Sequence, residues 1–272
     1  MVKITEQPSP YRHLEKMSIE EITAHINYED STVPKAIEAA LPQINRLIAA
    51  VVDKLKAGGR LFYLGAGSGG RLSVLDAIEL PTTYGIPKGQ VNVILAGGVH
   101  RLIEAREEME DNVDEGWQQL KDFQVSPKDI IIGISASGTT PFVLGALKTA
   151  RAHGITTGCI VSNPNAPIAV FADLPVEVIT GPEFISGSTR MKCGTAQKLI
   201  FDMISTTAMI QLGRVEDNRM INVALINDKI IDRGVKMLME MASIGDYATA
   251  KKILLEYGSV KKAADHINQG QI

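Results

Sequence analysis

Between residues 31 and 57 apolar positions recur at helical spacing, most clearly in IEAALPQINRLIAAVVDKLKA, and the pattern stops at Gly58-Gly59. Ser31 and Thr32 offer a hydroxyl cap and Pro34 a first-turn proline, so a helix is predicted here, bent or interrupted at Pro42. Short apolar bursts then alternate with amphipathic stretches. Arg60–Leu64, Gln90–Leu95, Asp129–Ser135, Thr156–Ser162 and Leu174–Ile179 read as strands, and Arg71–Ile78, Leu102–Asp122 and Phe142–His153 as helices between them. The bursts are continuously apolar rather than alternating, as in strands buried on both faces of a parallel sheet. The expected fold class is α/β, a doubly wound parallel five-stranded sheet with helices on both sides.

After Gly187 the strand pattern ends. STRMKCGTAQKLIFDMISTTAMIQLG reads as one long helix, followed by helices over DKIIDRGVKMLMEMA, Tyr247–Tyr257 and Val260–Ile267. Three segments are expected: an N-terminal arm and helix (1–30), an α/β domain (31–215) and a C-terminal helical segment (216–272). Residues 1–17 show little periodicity and predict an arm crossing the surface or a neighbouring subunit.

Composition narrows the function. Lys+Arg number 28 and Asp+Glu 31, for a net charge of −3, and no basic block is interleaved with aromatics. Nucleic acid is not an expected partner. Cys159 and Cys193 have no C-x-x-C spacing, and no apolar run reaches the ~18 residues of a membrane span, so a cytoplasmic protein is expected. Five scattered histidines form no metal motif, and no metal or other cofactor is expected.

The candidate chemistry begins at Gly65-Ala66-Gly67-Ser68-Gly69-Gly70, which fits the G-x-G-x-x-G turn of dinucleotide sites. That reading requires an acidic residue at the end of the second strand, and the chain there reads VILAGGVH. A second loop, Ser135-Ala136-Ser137-Gly138-Thr139-Thr140, runs from the third strand into a helix. Its hydroxyls and helix N-terminal amides suit a phosphate dianion. A small phosphorylated ligand is therefore expected in place of a dinucleotide.

Two carboxylates stand out. Glu79 has apolar neighbours at the exit of the first glycine-loop helix, where it is either a general acid kept neutral by desolvation or a helix-end carboxylate reaching solvent. On a helix over 102–122, Leu102, Met109, Val113, Trp117 and Leu120 form one stripe, and Glu110 is the acidic residue pointing to that side. It is either paired, with Arg106 one turn back, or functional.

The stretches TEQPSP, INYEDSTVPKAIEAALPQI, GGRLFYLGAGSGGRLSVLDAIELPTTYG, GISASGTTPFVLGAL and GPEFISGSTRMKCGTAQKLIFDMIST resemble the sugar-isomerase (SIS) domain family, and within it the N-acetylmuramic acid 6-phosphate etherases, relatives of the glucokinase regulatory protein. The resemblance implies a three-layer αβα fold and a lyase that releases D-lactate from N-acetylmuramic acid 6-phosphate by elimination and water addition. It implies that Glu79 protonates the departing lactate and that Glu110 is the base at C2. It assigns the phosphate to Ser68, Gly69, Ser135, Ser137, Thr139 and Thr140, and implies homodimers with active sites at the subunit interface. Glu183, Ser188, Arg190 and Lys192 are further candidate substrate contacts, with surface or interface pairing as the alternative for the two cations.

Several positions depart from the family pattern. Gly69 stands where serine is usual, Thr139 where arginine is common, and Ile78 and Thr82 replace serine and proline around Glu79. Arg106 replaces a small apolar residue. A phosphosugar-binding regulator without turnover and a phosphosugar isomerase remain the alternatives.

Overall fold

The computed structural model describes residues 3–102 and 107–268. The chain divides into two compact units, residues 1–77 with 89–204 and residues 78–88 with 205–272. The expected boundaries were different: the end of one helix, inside the 31–215 segment, belongs to the second unit.

The first unit is built on five parallel strands: β1 (Leu61–Gly65), β2 (Val91–Leu95), β3 (Ile130–Ile134), β4 (Thr156–Val161) and β5 (Leu174–Glu177). Their order is β2-β1-β3-β4-β5. All of β1 and β3 is buried, whereas the edge strands β2 and β5 are half-buried, which accounts for the purely apolar centre of the sheet. Register places Leu61 beside Val91 on one side and Ile130 on the other.

Alternate residues of β1 serve two layers. Phe62 and Leu64 join Ile131 in one core with α4 (Glu115–Asp122) and α5 (Pro141–Ala152), through Leu120, Phe142, Val143 and Leu147. Tyr63 points the other way, to Phe201 of α6 (Lys192–Gln211), with ring centroids 5.1 Å apart, and its hydroxyl donates to Asp76 of α3 (Gly67–Tyr84). α1 (Ile19–Asp30) starts in a capping box between Ser18 and Glu21. α2 (Val33–Lys56) continues through Pro42. Glu38, four residues before the proline that lacks an N–H to bond its carbonyl, lies on the exposed side of the helix. The Ser31 and Thr32 hydroxyls donate to the carbonyls of Tyr28 and Glu29 rather than capping α2.

Three predicted helices change. α3 continues past Ile78 and through Pro81 to Tyr84, and α6 begins only at Lys192, leaving residues 187–191 as a turn. The predicted helix 102–122 is broken. A 3-10 turn spans Glu107–Asp111, and the Asn112 side chain accepts the N–H groups of Asp114 and Glu115, which ends the turn before α4 begins. The apolar stripe that oriented Glu110 therefore does not exist as one face: Val113 is exposed while Leu120 is fully buried. Arg106, its suggested partner, lies outside the described residues.

The second unit packs α7 (Asp228–Met241), α8 (Tyr247–Tyr257) and α9 (Val260–Asn268) around Val235, Leu238, Leu254 and Ala263. Asn227 and Asp246 cap α7 and α8 through the N–H groups of Ile230 and Thr249. A two-residue hairpin, β6 (Val215–Glu216) and β7 (Arg219–Met220), has no counterpart in the sequence reading. The Ala224 N–H donates to the Thr82 carbonyl at the end of α3. Among the described residues no helix is long and apolar enough to cross a membrane.

Candidate functional site

In the first unit the chain leaves β1 toward β2 on one side, while β3 lies on the other. In such sheets ligands bind at this switch point, beyond the carboxyl ends of the strands. A cavity of about 430 Å³ opens there. The first turn of α3, directly after β1, lines it with Gly67, Ser68 and Gly69, and the loop after β3 with Ser135, Ser137 and Thr140.

The two loops are constructed differently. Gly70 gives α3 its close approach to β1: a Cβ there would stand 2.5 Å from Leu95 Cδ1 and 2.9 Å from the Gly65 carbonyl carbon. Gly67 has φ +53°, and a Cβ on it would come within 3.0 Å of Glu110 Oε1. The fingerprint glycines thus serve helix-strand packing and admit a carboxylate. The β3 loop is a chain of hydroxyls. Ser135 Oγ lies 2.8 Å from Thr140 Oγ1 and 3.3 Å from Ser137 Oγ, and it accepts the Gly138 N–H. The loop runs into the N-terminus of α5 and so lies at the positive end of its dipole, although Pro141 has no N–H and the Val143 and Leu144 N–H groups donate to the Thr140 carbonyl.

Glu110 lines the cavity, carried there by the 3-10 turn. Glu79 does not: it lies in the second unit, exposed, more than three turns beyond Gly67 on α3. The apolar shielding expected from its neighbours is missing because Ile78 beside it is 62% exposed. Thr139 faces the neighbouring groove, where Lys3 Nζ donates to its hydroxyl at 2.8 Å, so a cation stands at this position although arginine is absent.

The remaining candidates lie elsewhere. Glu183 is fully buried and accepts the N–H groups of Lys192 and Cys193 at 2.8 and 2.9 Å, capping α6. The Lys192 ammonium, 4% exposed, pairs with Glu29 of α1. Arg190 is exposed, and neither it nor Ser188 lines the cavity, although Gly187 and Thr189 do. Cys193 is buried, and burial pushes its thiol up to about 12, so it is not a nucleophile.

Sequence reasoning passed over Arg71, Asp111 and Glu6, which also line the cavity. Arg71 follows Gly69-Gly70 directly, and a cation immediately after the glycine fingerprint was the available signal. Glu6 comes from the N-terminal arm, which crosses this chain's own cavity. Thr5 exchanges two hydrogen bonds with Asn163, and the Ser9 N–H donates to Ser186 Oγ, so the arm is tied on either side of Glu6. Among the described residues no three His, Cys, Asp or Glu side chains are grouped to hold a metal ion.

The glucokinase regulatory protein N-terminal SIS domain family matches residues 43–151, and the SIS domain family matches residues 113–206. Among solved structures, a phosphoheptose isomerase from Francisella tularensis covers 73% of this chain and 100% of its own, at 16% identity and a TM-score of 0.54. A phosphoheptose isomerase from Neisseria gonorrhoeae covers 70% and 97%, at 14% identity and a TM-score of 0.51. At these identities the likeness is one of fold, and it bears out the three-layer α/β reading. The N-acetylmuramic acid 6-phosphate etherase of Bacteroides thetaiotaomicron is 52% identical over 97% of this chain and 95% of its own. That of Porphyromonas gingivalis is 52% identical over 98% and 97%, and that of Yersinia pestis 44% identical over 89% and 82%. The chain belongs to the N-acetylmuramic acid 6-phosphate etherase family.

Proposed function

We propose that the protein cleaves the D-lactyl ether of N-acetylmuramic acid 6-phosphate, giving N-acetylglucosamine 6-phosphate and D-lactate. The observation that carries this is a carboxylate, Glu110, lining the same cavity as the hydroxyls of Ser135, Ser137 and Thr140. In the ring-opened sugar the C1 aldehyde acidifies C2. Glu110 takes the C2 proton, the C–H electrons form the C2=C3 bond, and the C3–O bond breaks. The departing lactate oxygen takes a proton from Glu79. Water then adds at C3 and a proton returns to C2, so the sum is redox-neutral and carboxylates suffice.

Ser68, Gly69, Ser135, Ser137 and Thr140 hold the phosphate in this reading, with Thr139 tying the loop to Lys3. A homodimer supplies Glu79. Leu75, Ile78 and Glu79 share an exposed face of α3, and two apolar side chains there, 49% and 62% exposed, suit contact with a second copy. The active sites then lie at the subunit interface, each with Glu110 of one protomer and Glu79 of its partner. The low cysteine count and a sugar phosphate substrate favour the cytoplasm.

The test is D-lactate release from N-acetylmuramic acid 6-phosphate by the purified protein, with Glu79→Gln and Glu110→Gln alongside. Lactate from the wild type and a loss of at least about a hundredfold in each variant is expected. Binding of the sugar phosphate without lactate would overturn the etherase and leave a sensor, or an isomerase if the sugar is interconverted.

A further inference from the structure

Four charged side chains line the cavity among the described residues: Glu6, Glu110, Asp111 and Arg71. Three are acidic. Arg71 makes no hydrogen bond or ion pair with any described residue, although carboxylates share its cavity. A guanidinium held in a ligand cavity with its five donors uncommitted is available to the ligand.

The proposed substrate carries two anions. Its phosphate has a seat of hydroxyls, Ser135, Ser137 and Thr140, in the loop at the positive end of the α5 dipole. Its lactyl carboxylate has no such seat, and beside Glu6, Glu110 and Asp111 it would be repelled. Arg71 is the group whose planar fork matches a carboxylate in two parallel hydrogen bonds. It stands on α3 three residues after Ser68, which lies in the helix's first turn.

We propose that Arg71 recognises the lactyl carboxylate and is the specificity determinant that separates the ether-bearing substrate from the same amino-sugar phosphate without the ether. The proposal rests on the etherase reading and adds a residue to it. Its chemistry is discriminating in both directions. A substrate with the carboxylate gains a charge-assisted pair, while the product, lacking it, leaves Arg71 facing water and departs.

The experiment compares two ligands in Arg71→Met and Arg71→Lys. Dissociation constants for intact N-acetylmuramic acid 6-phosphate are measured in a Glu110→Gln background, where turnover is blocked, and those for N-acetylglucosamine 6-phosphate in the same proteins. Arg71→Met is expected to weaken the ether-bearing ligand by about tenfold to a hundredfold, and the product by less than about twofold. In the otherwise wild-type enzyme KM rises by a similar factor with kcat within about threefold, and Arg71→Lys falls between. Retained product binding shows that the variant is folded. Equal weakening of both ligands would make Arg71 a phosphate ligand and overturn the proposal, as would no change in either. A wild type that releases no lactate would overturn the etherase reading, and the two-ligand comparison would still decide what Arg71 contacts.

Discussion

Glu183 and Lys192 are joined through the lysine's backbone and not through its side chain. The carboxylate accepts the Lys192 N–H, and the ammonium turns to Glu29, which also accepts the Tyr11 hydroxyl. A charged residue near a ligand loop thus serves the architecture: Glu183 satisfies orphan amides at the start of α6, and Lys192 fastens α6 to α1. Removing Glu29 alone leaves an ammonium buried without a partner. Glu29→Leu is expected to lower stability by about 3 kcal/mol, and Glu29→Leu with Lys192→Met to recover most of it. Urea unfolding midpoints check this; the KM of the double variant stays within about twofold of wild type.

Asn163 is the post to which the N-terminal arm is tied. Its side-chain amide donates to Thr5 Oγ1 and to the carbonyls of Ala136 and Ser137, and its oxygen accepts the Thr5 N–H. Asn163→Ala removes all of these and is expected to cost about 2 kcal/mol and to raise KM, because the loop after β3 and the arm lose a common anchor. Thr5→Val keeps the shape, loses one acceptor and costs about 1 kcal/mol. Limited proteolysis of residues 3–12, with and without the sugar phosphate, reads the loosened arm directly.

Subunit mixing tests how Glu79 and Glu110 meet. If each site combines Glu110 of one protomer with Glu79 of its partner, a Glu79→Gln/Glu110→Gln heterodimer has one intact site and one doubly defective site. Equal co-expression of the two inactive chains is expected to restore about a quarter of wild-type activity, half the dimers being mixed and half their sites intact. No recovery would place both glutamates of one site on one chain.

Asp129 gives the fold an acid limit. Burial alone would raise its carboxyl, but the Arg60 guanidinium and the Ser126 and Arg60 amides outweigh burial and hold it below the usual carboxylate range. A depressed folded-state value adds stability that is fully present above the unfolded value of about 3.9 and lost as pH falls through the folded one. Thermal melts of the wild type should therefore fall below about pH 4, and Asp129→Asn should have a lower midpoint near neutrality with a shallower acid decline.

What the sequence disclosed follows from how local each signal is. The strands are legible because β1 and β3 are buried on both faces, and the β3 loop because its hydroxyls are neighbours in the chain. Glu110 was singled out through a helix that Asn112 breaks; it reaches the cavity by a 3-10 turn that no apolar period marks. Glu79 was read from its apolar neighbours, but on α3 Ile78 faces outward with it. Glu183 was illegible as a cap because its partners lie nine and ten residues on, across a turn whose return path depends on packing. Arg71 sat beside the loop in plain view, but one basic residue has no spacing to distinguish it from a solvated one.

The bond between Thr5 and Asn163 spans 158 positions. In a chain made from its amino end, the segment bearing Glu6 emerges early, and its anchor follows only after β4. The first strands can pair and the loop after β3 can form while that segment is still unattached, since loop closure over such a span is paid for only once both ends have their surroundings. Competence for the ligand is therefore a late event of assembly. A nascent chain stalled before Asn163 would carry the first strands of the sheet and a cavity lacking one wall.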